Sequence, residues 1–160
     1  MDWEDAASEY YLRARGGVSS LPAEWQRELV ALMLVNWEVA NGGYLQFFAN
    51  HGREAYVYAG RAFRAIGARR MADIIDRCQA LIDEHFPSEG RSSDERAQVL
   101  PSRLIICRDG RTVEKPGSVL PESVVSRMRE LTWEFLGYPD NVAELAQSYY
   151  GPLIERDRPA

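Results

Sequence analysis

The apolar and polar positions follow the period of an α-helix over most of the chain. Residues 21–41 carry apolar side chains, Trp37 among them, at spacings of three and four, with further apolar cover elsewhere. This predicts a central helix buried on much of its circumference. Ser20 is placed to cap its start. Asn41-Gly42 is placed to end it, since glycine takes the left-handed cap conformation at no steric cost.

The same period predicts the other helices. A short helix over 44–50 and a longer one over 54–66, capped by Gly67, follow the central helix. Residues 68–85 form the cleanest apolar stripe of the chain, which includes Cys78 and predicts an inert core thiol. Two closing helices are expected over 121–136 and over 141–150, the second ended by Gly151-Pro152. With a short helix over 94–100, the pattern predicts an all-α, single-domain bundle of about seven helices in 160 residues.

The segment 87–120 breaks this regularity. Its beginning, PSEGRSSDE, has the composition of a linker. Further on, LIICRDGRTV predicts a small β-hairpin over 104–113, because Asp109-Gly110 is a strong hairpin-turn signal between apolar residues.

Charge is distributed unevenly along the chain, whose net charge is −5. Residues 1–50 hold seven acids and three bases, a balance of −4. Residues 51–120 have a balance of +2, and residues 121–160 a balance of −3. An excess of acid disfavours direct binding of nucleic acid, since phosphate binding needs a cationic surface. The acidity at both ends instead favours a basic protein partner.

Several features predict a soluble protein of the cytoplasm. The longest apolar run, residues 30–35, is far too short to span a membrane, and the acidic N-terminus lacks the pattern of a secretory signal. Two cysteines do not make a disulfide framework, which favours a reducing compartment. The chain contains none of the common phosphate-binding, zinc-binding or hydrolase motifs, so we expect no metal and no cofactor.

The stretch WEVANGGYLQFFANHG, residues 37–52, is the most distinctive of the chain. On a short helix, Tyr44, Phe47 and Phe48 share one face, which suits a core. Gln46 and Asn50 share another face. The Asn-Gly-Gly turn lets the chain reverse, and the polar side chains that we then expect to converge are Glu38, Asn41, Gln46 and Asn50.

Two interpretations of this polar cluster stay open from the sequence. In the first, the side chains form a hydrogen-bonded network that locks a helical corner, because buried amides and carboxylates require partners. In the second, they line a pocket of an enzyme or small-ligand binder, with Glu38 as general base, the amides as substrate clamps and His51 as a further group. A saturated network would favour the first, and a deep pocket with an unpaired Glu38 the second.

The same stretch resembles the signature of a bacterial family of DNA-mimic proteins. The positions that carry the resemblance are Glu38, Asn41, Gly42, Gly43, Gln46, Phe47, Phe48, Asn50 and Gly52. The helix junction RAFRAIGARRMADII and the closing segment LTWEFLGYPDNVAELAQSYY add weaker similarity, so that the resemblance spans residues 21–150 except 87–120. It implies an all-helical fold, a homodimer, and an acidic surface that imitates the phosphates of duplex DNA to bind a transcription factor.

The charge distribution suggests where such a surface lies. If the first and last helices lie side by side, acids from both ends of the chain form one patch. The expected members are Asp2, Glu4, Asp5, Glu9, Glu134, Asp140 and Glu144. The remaining alternative, direct nucleic-acid binding, requires that the arginines within 53–70 form an uncompensated basic face, although nearby acids are placed to neutralise several of them.

Overall fold

A computed structural model describes residues 1–14, 17–87, 91–107 and 109–158. Within these residues, the chain forms six α-helices, two short 3₁₀ helices and one β-hairpin, which confirms the all-α prediction. The helices are α1 (Trp3–Arg13), α2 (Glu24–Ala65), α3 (Arg69–His85), α4 (Ser93–Arg96), α5 (Glu122–Leu136) and α6 (Val142–Asp157). The 3₁₀ helices are Val18–Ser20 and Ala97–Val99, and the strands are β1 (Ser102–Ile106) and β2 (Thr112–Pro116).

The central element is α2, which the other helices surround. Every residue from 29 to 35 is almost completely buried, as the apolar cover of the predicted central helix requires. Helices α1, α3 and α5 all pack against α2, and α1 also contacts α6. The core therefore runs along α2.

Two glycines interrupt α2 and divide it into three helical segments, residues 24–42, 44–51 and 53–65. Gly43 has φ 81° and ψ −178°, and Gly52 has φ 73° and ψ −173°. This region of backbone space is almost restricted to glycine. The three segments correspond to the three helices that the sequence predicts, but the assignment of the first turn to Gly42 is wrong. Gly42 remains helical, and Gly43 takes the positive φ.

Two predicted helix boundaries are also wrong. The first segment of α2 begins at Glu24, after the buried Leu21, and the Ser20 hydroxyl donates to Gly17 O instead of capping it. Helix α6 does not end at Gly151-Pro152 but continues to Asp157. Burial of Ile154 in the core requires that extra turn, and packing there outweighs the cost of a proline inside a helix.

An aromatic cluster explains why the middle segment of α2 is so rich in rings. Tyr44, Phe47 and Phe48 are all buried and surround Tyr56 of the last segment, with ring centroids 6.1, 4.9 and 6.1 Å away. The Tyr56 hydroxyl donates to Tyr44 O at 3.0 Å. The turn at Gly52 thus folds the last segment onto the aromatic face of the middle one.

The segment 87–120 contains α4, the 3₁₀ helix Ala97–Val99 and the hairpin, while residues 88–90 and residue 108 lie outside the described residues. Strands β1 and β2 pair antiparallel, with Ser102 opposite Pro116 and Ile106 opposite Thr112, and Gly110 has φ 79° in the turn. The hairpin prediction is confirmed. Val99 reaches the core, and Arg96 Nε donates to Ala49 O at 3.2 Å, which ties this segment to α2.

Cys78 is part of the core. Cys78 is completely buried on α3, and burial raises the pKa of its thiol well above the ordinary range. It is therefore protonated and shielded, as expected for a core thiol.

Among the described residues, no helix combines the length and the apolar composition that crossing a membrane requires.

The positive φ of Gly43 gives the first prediction. Gly43→Ala should lower the free energy of unfolding by about 1–3 kcal/mol, because a side chain is strained in this backbone region. The added Cβ would also lie 3.0 Å from Thr132 Oγ1. The matched control is Gly60→Ala, inside the last segment of α2, where the nearest contact is the flexible Arg64 side chain. Chemical denaturation showing equal effects of the two substitutions would contradict the assignment.

Candidate functional site

The carboxylate of Glu38 is the centre of the polar cluster. Gln46 Nε2 donates to Glu38 Oε2 at 2.7 Å, and Asn50 Nδ2 lies 3.0 Å from both carboxylate oxygens. His51 Nε2 lies 3.0 Å from Glu38 Oε1. An ionised carboxylate only accepts hydrogen bonds, so His51 carries a proton on Nε2 in this arrangement. We call Glu38, Gln46, Asn50 and His51 the Glu38 network.

The kink at Gly43 makes this network possible. Glu38 lies about one turn before the kink, whereas the three donors lie on the middle segment after it. On a straight helix, residues 8, 12 and 13 positions apart would lie far along the axis from one another, since the rise is about 1.5 Å per residue. The reversal at Gly43 brings them to one carboxylate, which therefore fixes the angle between the first two segments.

The hydrogen bonds control the ionisation of Glu38. Partial burial raises the pKa of its carboxyl, but the donors Gln46, Asn50 and His51 together outweigh burial and lower the pKa below the ordinary value. A carboxylate with three donors and a lowered pKa is a poor proton acceptor. The geometry therefore favours the structural interpretation of this cluster over Glu38 as a general base.

Gly42 serves the network through its lack of a side chain. A Cβ at this position would lie 1.8 Å from Gln46 Oε1. The Gln46 amide therefore occupies the space above Gly42 while its nitrogen reaches Glu38. Of the two glycines in the Asn-Gly-Gly turn, Gly42 gives room to a hydrogen-bonded side chain and Gly43 gives the backbone its turn.

Asn50 and His51 also line a groove of about 600 Å³, together with Glu54 and Arg96. Glu38 is not among its lining residues. A ligand in this groove would meet the imidazole edge and the Asn50 amide, but not the carboxylate that the enzyme hypothesis requires as a base. Among the described residues, no group of three His, Cys, Asp or Glu side chains is arranged to hold a metal ion.

The structure places Asn41 outside the Glu38 network, contrary to expectation. Asn41 lies just before the kink and lines a second groove of about 600 Å³. We call it the Trp37 groove. It lies between the start of α1, the first segment of α2 and the turn that joins α5 to α6; its lining includes Glu4, Asn36, Trp37, Asn41, Tyr138 and Asp140. The helical spacing of Trp37 predicts a buried side chain, but the side chain is 45% exposed at this groove.

The expected acidic residues divide into two groups. Helices α1 and α6 do lie side by side: Trp3 N donates to Gln147 Oε1 at 2.9 Å, and the Tyr10 hydroxyl donates to Asp157 Oδ2 at 2.6 Å. The N-cap Asp2, Glu4, Asp5 and Glu9 of the first helix and Glu144 of the last are exposed there, and Glu9 also pairs with Arg13 one turn later in α1.

The other two expected acids are paired with arginines. Glu134 accepts from Arg77 of α3, and Asp140 accepts from Arg70 at 3.0 Å and from Met71 N at 3.0 Å. These bonds outweigh the effect of burial and lower the pKa of Asp140. An arginine therefore offsets the charge of each of these two acids.

The arginines within 53–70 do not form an uncompensated basic face. Arg53 pairs with Asp83, Arg61 with Glu24, Arg64 with Asp76 and Arg70 with Asp140. Each of these pairs connects two different elements or segments and lies at the surface. The condition for direct nucleic-acid binding is therefore not met by these four side chains.

A family model described as DMP19-like protein matches residues 19–105, which is more than half of the chain. The chain belongs to the DMP19-like protein family. The match includes α2, α3 and α4, and thus the Glu38 network and every position of the proposed signature. Helices α1, α5 and α6 lie outside the match. The closing segment 131–150, which resembles the family in sequence, therefore also lies outside it. Comparisons with curated proteins and with solved structures gave no match.

The lowered pKa of Glu38 gives the second prediction. Above the ordinary glutamate pKa of about 4.3 the ionised network contributes its full stability, and this contribution is lost as the pH falls through the lower pKa of the folded state. The stability difference between the native protein and Glu38→Gln should therefore shrink as the pH falls from neutral to below the ordinary glutamate pKa. Denaturant unfolding at several pH values measures it.

The control for this experiment is Glu114→Gln on the exposed strand β2, outside the network. Its stability difference from the native protein should change far less over the same pH range. Equal pH dependence for the two variants would show that the three donors do not lower the pKa of Glu38 in the folded protein.

The close approach of Gly42 and Gln46 gives the third prediction. In the native background, Gly42→Ala should be destabilising, because it displaces the Gln46 amide from Glu38. In the Gln46→Ala background the same substitution should cost less, because only the Cβ of residue 46, 3.1 Å from the added Cβ, remains in close contact. A double-mutant cycle measures this coupling. Identical effects of Gly42→Ala in both backgrounds would contradict the geometry.

Proposed function

We propose that the protein binds the DNA-binding surface of another protein, a transcriptional regulator, through an acidic face at the first turns of α1 and α6. The observation that carries the proposal is the contact between α1 and α6, which puts the acidic ends of the chain next to each other. Membership of the DMP19-like family, a family of DNA mimics, is compatible with a role of this kind.

The acids of this face have no basic partner among the described residues. Within the described residues, Asp2, Glu4, Asp5 and Glu144 form no ion pair, whereas the arginines of α2 and α3 in the middle of the chain are largely paired with acids. The positive balance of residues 51–120 is thus offset within the fold. Acids without an arginine partner therefore remain at both ends of the chain.

Local structure also holds these acids in place. Asp2 caps α1 by accepting from Asp5 N at 2.9 Å, and Asn141 caps α6 while its amide donates to Glu144 at 2.8 Å. Acids in a first turn are stabilised by the helix dipole, so they are ordered without basic partners. Ordered acids on a rigid surface are what imitation of a phosphate array requires.

The negative charge of such a surface affects how fast a basic partner is captured and which molecules compete for it. It attracts a basic protein surface over a distance of about 8 Å at physiological salt, the Debye length, and speeds its capture. It competes with duplex DNA, because both occupy the same cationic residues of the partner. The dimer implied by the family resemblance stays a prediction, and the proposed face does not depend on it.

The fourth prediction tests this face. The native protein, immobilised, should capture a DNA-binding protein from a lysate of the source cell. Duplex DNA and added salt should both release that protein. The quadruple variant Asp2→Asn, Glu4→Gln, Asp5→Asn, Glu144→Gln should capture far less of it. Asparagine still caps a helix, so the variant removes charge while it keeps the fold.

The control neutralises four exposed acids elsewhere: Glu84→Gln, Asp94→Asn, Glu114→Gln and Glu122→Gln. It changes the net charge by the same amount. Capture that is insensitive to salt and to excess duplex, or that is reduced equally by both variants, would contradict the proposed face.

A further inference from the structure

The Trp37 groove presents aromatic surface that the fold does not bury. Trp37 is 45% exposed and Tyr138 is 53% exposed, although both lie next to core helices. Tyr138 has φ 45°, the single positive φ of a non-glycine residue among those the structure describes. A bulky residue in this region is strained. The backbone therefore holds this ring at the groove at a cost in stability.

Two polar groups of the groove, the Asn36 amide oxygen and the Glu4 carboxylate, have no partner among the described residues. Asn36 Oδ1 is buried and accepts no hydrogen bond from the described part of the chain. An unsatisfied buried acceptor is uncommon and calls for an explanation. Glu4 adds a carboxylate that has no ion pair among the described residues, whereas the Asp140 carboxylate is already paired with Arg70. None of the described lining residues is basic.

We propose that the Trp37 groove receives an arginine side chain of the partner protein, with the guanidinium between the Trp37 and Tyr138 rings and the carboxylate of Glu4. The inference rests on the proposed function for the identity of the molecule that carries the arginine. The chemistry of the groove itself is independent of it.

A guanidinium fits this lining better than the alternatives. It is planar, stacks on aromatic rings, and carries five N–H donors that reach the exposed acceptors Asn41 and Glu4. A lysine ammonium lacks the planar surface. An anion would face the Glu4 carboxylate, which offsets the positive end of α1. DNA-binding surfaces are rich in arginine, so a partner of the proposed kind supplies the side chain.

The test uses N-acetyl-arginine amide as the probe and the indole N–H resonances of the whole protein as the readout. The probe should shift the Trp37 resonance along a saturable curve. N-acetyl-lysine amide should bind more weakly, and N-acetyl-citrulline amide, which has the shape without the charge, should give no saturable shift. Trp133, 70% exposed on α5 and outside this groove, is the internal reference and should not shift.

Two variants test the lining. Glu4→Gln should weaken arginine binding about twofold to fivefold, the range expected for one exposed charge. Tyr138→Ala should abolish the saturable shift, while Glu114→Gln on β2 should leave it unchanged. An unsaturable shift, an equal shift of Trp133, or equal binding of citrulline would overturn the proposal.

The same variants separate this inference from the proposed function. Capture of the DNA-binding protein by Tyr138→Ala should fall although every acid of the face is retained. Full capture by Tyr138→Ala, together with loss in the quadruple acid variant, would overturn the groove and leave the acidic face standing. Loss of probe binding in Tyr138→Ala with no capture by the native protein would support the groove's chemistry and overturn the proposed partner.

Discussion

The fold depends on the Glu38 carboxylate, which connects two segments of a helix that is interrupted at Gly43 and at Gly52. Gly43 and Gly52 lack the restraint that a side chain would impose, so each turn alone leaves the angle between segments poorly defined. Glu38 fixes the first angle, since its donors all lie beyond Gly43. The aromatic cluster around Tyr56 fixes the second by burying the middle segment against the last. The packing of α1, α3 and α5 on α2 relies on these angles.

The sequence predicted the parts of the fold that local rules determine. Helical periodicity located α3 and α5 to within one residue, and the Asp-Gly turn located the hairpin. It also brought Glu38, Gln46 and Asn50 together, because their spacing around a glycine turn is a local matter. The end of α6 was wrong because Gly151-Pro152 is a local stop signal, whereas burial of Ile154 is a tertiary effect.

Other errors have the same origin. Nothing in the sequence distinguishes Gly42 from Gly43 as the turning residue; the difference arises from the space that the Gln46 amide needs. Trp37 has the spacing of a core residue, and its exposure follows from the position of the α5–α6 turn, which is distant in sequence. The pairing of Glu134 with Arg77 and of Asp140 with Arg70 likewise depends on contacts between distant elements.

The scaffold and the proposed binding face occupy different parts of the chain. The matched family region, residues 19–105, contains the kinked helix and the network that shapes it. The acidic first turns of α1 and α6 lie outside that region, on helices that the scaffold positions. A shared scaffold does not by itself determine what the surface binds.

The most direct test of this account is amide hydrogen exchange of the protein with and without its captured DNA-binding partner. The account predicts new protection at the first turns of α1 and α6 and at the α5–α6 turn around Tyr138. The hairpin Ser102–Pro116 and the exposed Trp133 region of α5 should exchange as in the free protein. Protection at the hairpin or around Trp133, with no change at α1 and α6, would contradict the account.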